Sequence, residues 1–362
     1  MKLRFATLLF SAILLAIPTL ASEGDTSMAF HECLESCVVF VCDHETNHEL
    51  PYTLKLMQWS CADNCKYECM MMDVDRDLEA IESGSEGVKI KQYYGKWPFH
   101  RFIGIQEPAS VVFSLMNLWA HIRGGKYLLG RIRSDHPMYK YYFWYVVIGV
   151  NAWVWSAVFH MRDKPATEKL DYFSAALTIL YSLYVAVIRL FGLYQPPRLH
   201  LQQPASYLAR RPNWLPPQHI LHQLWGALCV LLYLAHVIYL SVIPRFDYSY
   251  NVIANLIVGV LHNLLWMSYS FSFFPFRRFE YKPQSYIPSY AWKPAALAIG
   301  MTLATSLELG DFPPWWFVID AHSLWHLSTV PLTWWWYKFI AEDATDSGWT
   351  SGRLPMGKAM MD

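Results

Sequence analysis

The chain has 362 residues, 54% of them hydrophobic and 17% aromatic, with only 16% charged. Soluble domains carry roughly 25% charged residues, which argues against a water-soluble globule and makes lipid the expected solvent for most of the chain. The net charge of +0 argues neither for nor against nucleic acid, but no basic run suggests a phosphate groove, so no nucleic-acid partner is expected.

Residues 1–21 combine a basic start at Lys2 and Arg4 with a short apolar run that ends in Thr19-Leu20-Ala21, the pattern of a secretory signal peptide. Residues 22–100 are then expected as a small luminal Cys-rich domain with a linker. Cysteines fall at Cys33, Cys37 and Cys42 and again at Cys61, Cys65 and Cys69, one helical turn apart in each half. In an oxidising lumen these six read as three disulfides of open connectivity, and zinc is the weaker reading because free thiols do not persist there. Residues 73–89 look like the linker, and Tyr93-Tyr94-Gly95-Lys96-Trp97-Pro98-Phe99 an aromatic stretch at the membrane surface.

Residues 101–340 are expected as a seven-transmembrane helix bundle, with a cytosolic tail at 341–362. Apolar spans fall near 106–122, 139–160, 171–191, 219–242, 251–272, 291–307 and 315–338. Most approach the ~20 residues that a hydrocarbon core requires, and Trp and Tyr cluster at several ends as interfacial belts do. Lys and Arg concentrate in alternate connections: Arg123, Lys126, Arg131, Arg133 and Lys140; then Arg189, Arg198, Arg210 and Arg211; then Arg277, Arg278, Lys282 and Lys293. The positive-inside rule puts these in the cytosol. Charge bias and signal peptide agree on a luminal N-terminus and a cytosolic C-terminus.

That topology gathers polar groups at the luminal rim. The second span ends in Ser156 and His160, which share a helical face; the third opens at Asp171. The seventh, read as running from Trp315 through Ile319 to Trp336, carries Asp320, His322 and His326 in its luminal half. Ionisable groups inside a membrane are expensive and mark functional sites by default. Three His ligands with an open position form the pattern of a catalytic zinc site, in which water is activated and a carbonyl polarised. Imidazole also suits iron, copper and nickel, so Zn2+ is the leading choice rather than a derived one. Asp171 is the natural base or water-orienting group, and Ser156 could fix the water or an oxyanion. Asp320 has three open readings: orienting a His ligand from behind, capping the helix, or pairing with Arg162. At this depth the site meets the acyl linkages of membrane lipids. His121, His236 and His262 read as interhelical histidines, and Ser110 and Ser114 as packing residues.

Ser156-x3-His160, Asp171 and His322-x3-His326 together resemble the pattern of a superfamily of seven-span membrane hydrolases that includes alkaline ceramidases and adiponectin receptors. In it the three histidines bind zinc, and the Ser and Asp attend the activated water. The chain more closely resembles the Per1-like proteins, the family of post-GPI-attachment-to-proteins factor 3. That resemblance covers the signal peptide, the cysteine-rich segment, Gly95 to Phe99, His160 to Asp163 with Asp171-Tyr172, and Asp320 to His326. It implies a GPI-specific phospholipase A2-like enzyme that removes the sn-2 acyl chain of GPI-anchored proteins in the Golgi, or the endoplasmic reticulum, membrane. The alternatives are a ceramidase-like hydrolase of another lipid and a seven-helix receptor, although Asp-Arg-Tyr after the third span and Asn-Pro-x-x-Tyr in the seventh are both absent.

Overall fold

The structure is a computed structural model that describes residues 22–42, 50–194, 216–271, 277–279 and 282–349. The expected signal peptide at 1–21 and residues 350–362 of the expected tail lie outside the described residues. The described residues are helical, with isolated two-residue bridges but no strand. The chain divides into two compact units. The first comprises Met1–Ser114, Ser156–Glu168 and Ser306–His326; the second comprises Leu115–Trp155, Lys169–Thr305 and Leu327–Asp362.

In the first unit, α1 (Met28–Cys37) starts on Ser27, whose side chain accepts from the Phe30 amide, and runs into a π-helical turn at Val38–Cys42. After the short α2 (Tyr52–Leu56), α3 (Cys61–Glu82) opens on a capping box between Ser60 and Asp63. Disulfides join Cys33 to Cys69, Cys37 to Cys65 and Cys42 to Cys61, each with 5.8 Å between Cα atoms. The pairs are nested, so α1 and α3 run antiparallel. Steps of four residues keep α-helical cysteines on one face. The step from Cys37 to Cys42 is one residue longer, and the wider π turn absorbs it. Phe30, Cys69, Val74 and Tyr93 form a small core beside this ladder.

The expected linker is largely wrong: residues 73–82 are the second half of α3. Their acidic side chains do not face solvent alone. Asp73 and Asp77 are buried and both bind Lys91, at 3.5 and 2.9 Å, and Tyr93 donates its hydroxyl to Asp73 at 2.6 Å. An acidic run composed like a spacer becomes a helix face once a cation and a phenol cover it.

Helices stand at all seven apolar spans. They are α4 (Pro108–Leu129), α5 (Tyr139–Met161), α6 (Pro165–Leu190), α7 (Gln218–Val242), α8 (Tyr248–Phe271), α9 (Lys293–Glu308) and α10 (Ala321–Ala344). Four of them, α5 to α8, are long and apolar enough to cross a membrane. On α7, Leu224, Leu228, Leu231, Leu232 and Val242 are exposed, an apolar surface that suits lipid rather than water. The chain is a transmembrane protein. The remaining three helices are shorter or less apolar: α9 has only 16 residues, and α10 mixes histidines, polar residues and an internal Pro331 with its tryptophans.

Two starts differ from expectation and both bear on the site. Helix α6 begins at Pro165, with the Lys164 amide donating to the Thr167 hydroxyl at 3.0 Å, so Asp171 sits almost two turns inside it rather than at its opening. Helix α10 begins at Ala321, not at Trp315. Residues 315–319 instead form a turn in which the Trp315 amide donates to the Ile319 carbonyl, with Trp316 and Phe317 at φ of 53° and 56°.

The second unit holds the larger core, centred on Leu128, Met138, Tyr142, Tyr269, Tyr337 and Phe339. A Cβ on Gly124 would collide with the Tyr337 ring and one on Gly125 with Val146, so the pair lets α10 and α5 approach α4 closely. The interhelical histidines behave as expected: His121 bonds the Tyr337 hydroxyl at 2.9 Å, His236 stacks on Tyr250 and His262 packs on Trp336.

Candidate metal centre

The first unit brings His160, His322 and His326 together from its own residues, with one ligand atom of each lying within 4.8 Å of the others. His160 lies near the end of α5. His322 and His326 occupy the first two turns of α10 and face the same way because they are four apart. His160 and His326 are each 2% exposed, while the His322 side chain, at 31%, forms the open side.

What orients α10 is Asp320. Its carboxylate accepts from the Ser323 amide at 2.8 Å, and its own amide donates to the Ser323 hydroxyl at 3.0 Å. This is a reciprocal capping box with the acid at the N-cap. Of the three roles open in the sequence, the contacts support the cap; Arg162 pairs with Asp63 instead, at 2.8 Å. The cap fixes the helix start, and thereby the azimuth of both histidines.

Every imidazole is held from behind through Nδ1. His160 Nδ1 lies 2.6 Å from Glu107 Oε2, His322 Nδ1 lies 2.7 Å from Glu308 Oε2, and His326 Nδ1 lies 3.0 Å from the Ser114 hydroxyl. Ser114 in turn bonds Ser156 at 3.0 Å, which places Ser156 behind His326 through one hydroxyl. Sequence reasoning missed Glu107 and Glu308 and treated Ser114 as packing. The available signal was a carboxylate at the mouth of α4 and another at the end of α9, both next to apolar spans, where a charge is costly unless paired.

The residues fit a metal on their own geometry. Nδ1–H donation to a carboxylate leaves Nε2 of His160 and of His322 as acceptors. Those two Nε2 atoms nevertheless face each other at 3.2 Å, an arrangement of opposed lone pairs that calls for a cation or shared proton between them. Tetrahedral ligands at ~2.0–2.1 Å from a zinc ion stand about 3.3 Å apart, close to this spacing. Carboxylate–imidazole pairs are also the usual support of metal-binding histidines.

The Glu107 carboxylate links the cluster to the aromatic stretch. Its second oxygen accepts from Lys96 Nζ at 2.8 Å, and Lys96 also pairs with Asp163 at 2.8 Å while lying 4.3 Å over the Phe159 ring. Burial would pull the Lys96 ammonium down, but Glu107 and Asp163 hold it above the ordinary lysine range. Asp171, the expected base, is carried by α6 in the second unit and is half-buried.

Fold and site thus define a helical membrane protein with a disulfide-rich N-terminal region and a three-histidine group able to hold a metal. The chain belongs to the Per1-like family, whose pattern it matches over residues 51–344. It is 38% identical to Protein PER1 homolog of Schizosaccharomyces pombe over 335 residues, covering 92% of this chain and 90% of that protein. It is 36% identical to GPI-specific phospholipase A2-like PGAP3 of Xenopus tropicalis, covering 92% of this chain and 94% of the relative. The human protein of the same name is also 36% identical, covering 89% of each chain. No solved structure matches.

Proposed function

We propose that this protein is a metal-dependent lipid acyl hydrolase of GPI-anchor remodelling, which cleaves the sn-2 acyl ester of the GPI phosphatidylinositol. The observation that carries it is the inward convergence of three imidazoles, each anchored at Nδ1 by Glu107, Glu308 or Ser114. The names of the relatives support the substrate. The helices α4, α9 and α10 complete a seven-span layout, with the disulfide region in the lumen of the Golgi or endoplasmic reticulum and the C-terminus in the cytosol.

His160, His322 and His326 would hold the Zn2+ ion. When bound, the ion supplies a nucleophile at neutral pH and a Lewis acid for the ester carbonyl. The chain supplies the rest. Glu107 and Glu308 fix the tautomers and raise the basicity of two ligands. Ser114, backed by Ser156, fixes the third. A carboxylate oxygen of Asp171 takes the proton of the attacking water and returns it to the departing glycerol oxygen, giving a free fatty acid and a lysolipid.

The test pairs metal analysis with lipid mass spectrometry. Purified protein is expected to carry one zinc per chain, and GPI anchors from cells that express only His326→Ala should retain the unsaturated sn-2 chain. Normal remodelling by that variant, at matched protein level, would sink the reading. Asp171→Asn separates roles: zinc is expected to stay bound while turnover is lost.

A further inference from the structure

A groove of about 200 Å³ opens in the first unit beside the histidine cluster and has no role in the chemistry above. The aromatic rings of Tyr67, Tyr94 and Trp97 and the cations Lys66, Lys96 and Arg162 line it. We propose that this groove receives the sugar–phosphate headgroup of the lipid whose ester lies at the histidines. The inference rests on the reading of the chain as a GPI-lipid hydrolase and adds to it where the glycan is held.

Continuity is the first argument. Lys96 lines the groove, and its ammonium sits 2.8 Å from the same Glu107 carboxylate whose other oxygen holds His160 at 2.6 Å. A lipid with its acyl ester at the imidazoles therefore has its headgroup beside Lys96.

The lining is the second. Sugar rings offer apolar C–H faces and hydroxyl edges, and the groove offers both complements. Tyr94 presents its ring outward at 58% exposure, from a backbone held at φ 52°. Side chains rarely adopt that conformation, and such residues concentrate at ligand clamps. Asp63, Asp163 and Gln106 add acceptors for hydroxyl donors.

Charge is the third. Lys96 is matched by Glu107 and Asp163, and Arg162 by Asp63. Lys66 forms no ion pair among the described residues and stands over Tyr94 at 5.7 Å, and Arg162 Nε is buried without a hydrogen-bond partner. Both donors suit a phosphate or an anionic edge. An acyl chain would have to desolvate these charges. A protein partner would need roughly 800 Å² of surface, more than so small a groove presents.

The experiment measures binding of a water-soluble glycosylinositol phosphate, stripped of acyl chains, to the full-length zinc-loaded protein in nanodiscs. Inositol phosphate alone and the neutral glycan alone serve as separate arms. Tyr94→Ala is expected to weaken the intact headgroup and the glycan, and Lys66→Glu the two phosphate-bearing ligands, each by about tenfold. Both side chains are exposed, and intact disulfides and unchanged zinc content certify the fold. No headgroup binding by wild type, or unchanged binding in both groove variants, overturns the proposal. Headgroup binding without deacylation would instead refute the hydrolase reading and leave the groove assignment standing, whereas deacylation at wild-type rates by both variants would do the reverse.

Discussion

Glu107 and Glu308 show how much a single buried carboxylate can decide. Each accepts from an imidazole Nδ1 and thereby sets which nitrogen faces the centre. Replacing Glu107 or Glu308 with Gln keeps the volume but removes the charge. Loss of such a supporting group typically weakens metal affinity by about 10–100-fold. Competition with a chelator should therefore show weaker zinc in both variants, with Glu107→Gln the stronger effect because it also leaves Lys96 with one carboxylate fewer. Equal zinc affinity in wild type and both variants would remove these residues from the site. Ser114→Ala tests the third anchor: it should loosen His326 and leave the other two histidines in place. The pair His322 and His326 was legible from spacing, because four residues is one helical turn, and the topology reading added His160. Their anchors were not, since nothing local marks a residue whose partner lies 14, 53 or 212 positions away on another helix or at its mouth.

The start of α10 is the element on which the site turns. With the Asp320–Ser323 box in place, His322 and His326 fall in the first two turns, where the helix can hold them near the first unit's own residues. Asp320→Ala is expected to destabilise the protein by about 1 kcal/mol, whereas Asp320→Asn retains a capping side chain and most of the stability. Thermal unfolding of the two variants distinguishes a cap from a charge acting on His322: equal losses would point to the charge. At the other end of α10, Asp343 accepts a two-pronged contact from Arg189 of α6 at 2.7 Å on each arm, and both side chains are 2% exposed. Breaking one member of a buried pair costs about 3–5 kcal/mol, so Asp343→Ala should unfold well below wild type. A melting point within a few degrees of wild type would show that the pair is dispensable.

At the scale of the molecule, the disulfide ladder and the apolar helices answer to different solvents. The ladder links residues 19 to 36 positions apart, so its removal is expected to cost the region about 2–5 kcal/mol. Cys37→Ser with Cys65→Ser should make α1 and α3 susceptible to protease while the α5 to α8 helices stay protected by detergent or lipid. The charge bias also makes a topological prediction. A reporter inserted at the Ser85 turn should be reached only after the inner compartment is opened, and one after residue 349 should be reached from the cytosol; the opposite labelling would invert the proposed orientation.

Composition and spacing alone determined that the chain is helical and lies in a membrane, that its cysteines pair, and that His322 and His326 share one helix face. Each follows from a local rule: apolar runs of bilayer length, thiols at helical steps, imidazoles one turn apart. Only the tertiary structure decided the ladder's pairing, the conversion of the acidic run 73–82 into a packed helix face, the capping role of Asp320 and the three anchors behind the imidazoles. Those depend on which distant groups a fold brings within hydrogen-bond reach. Burial makes such partners obligatory but does not say, from the sequence, which ones they will be.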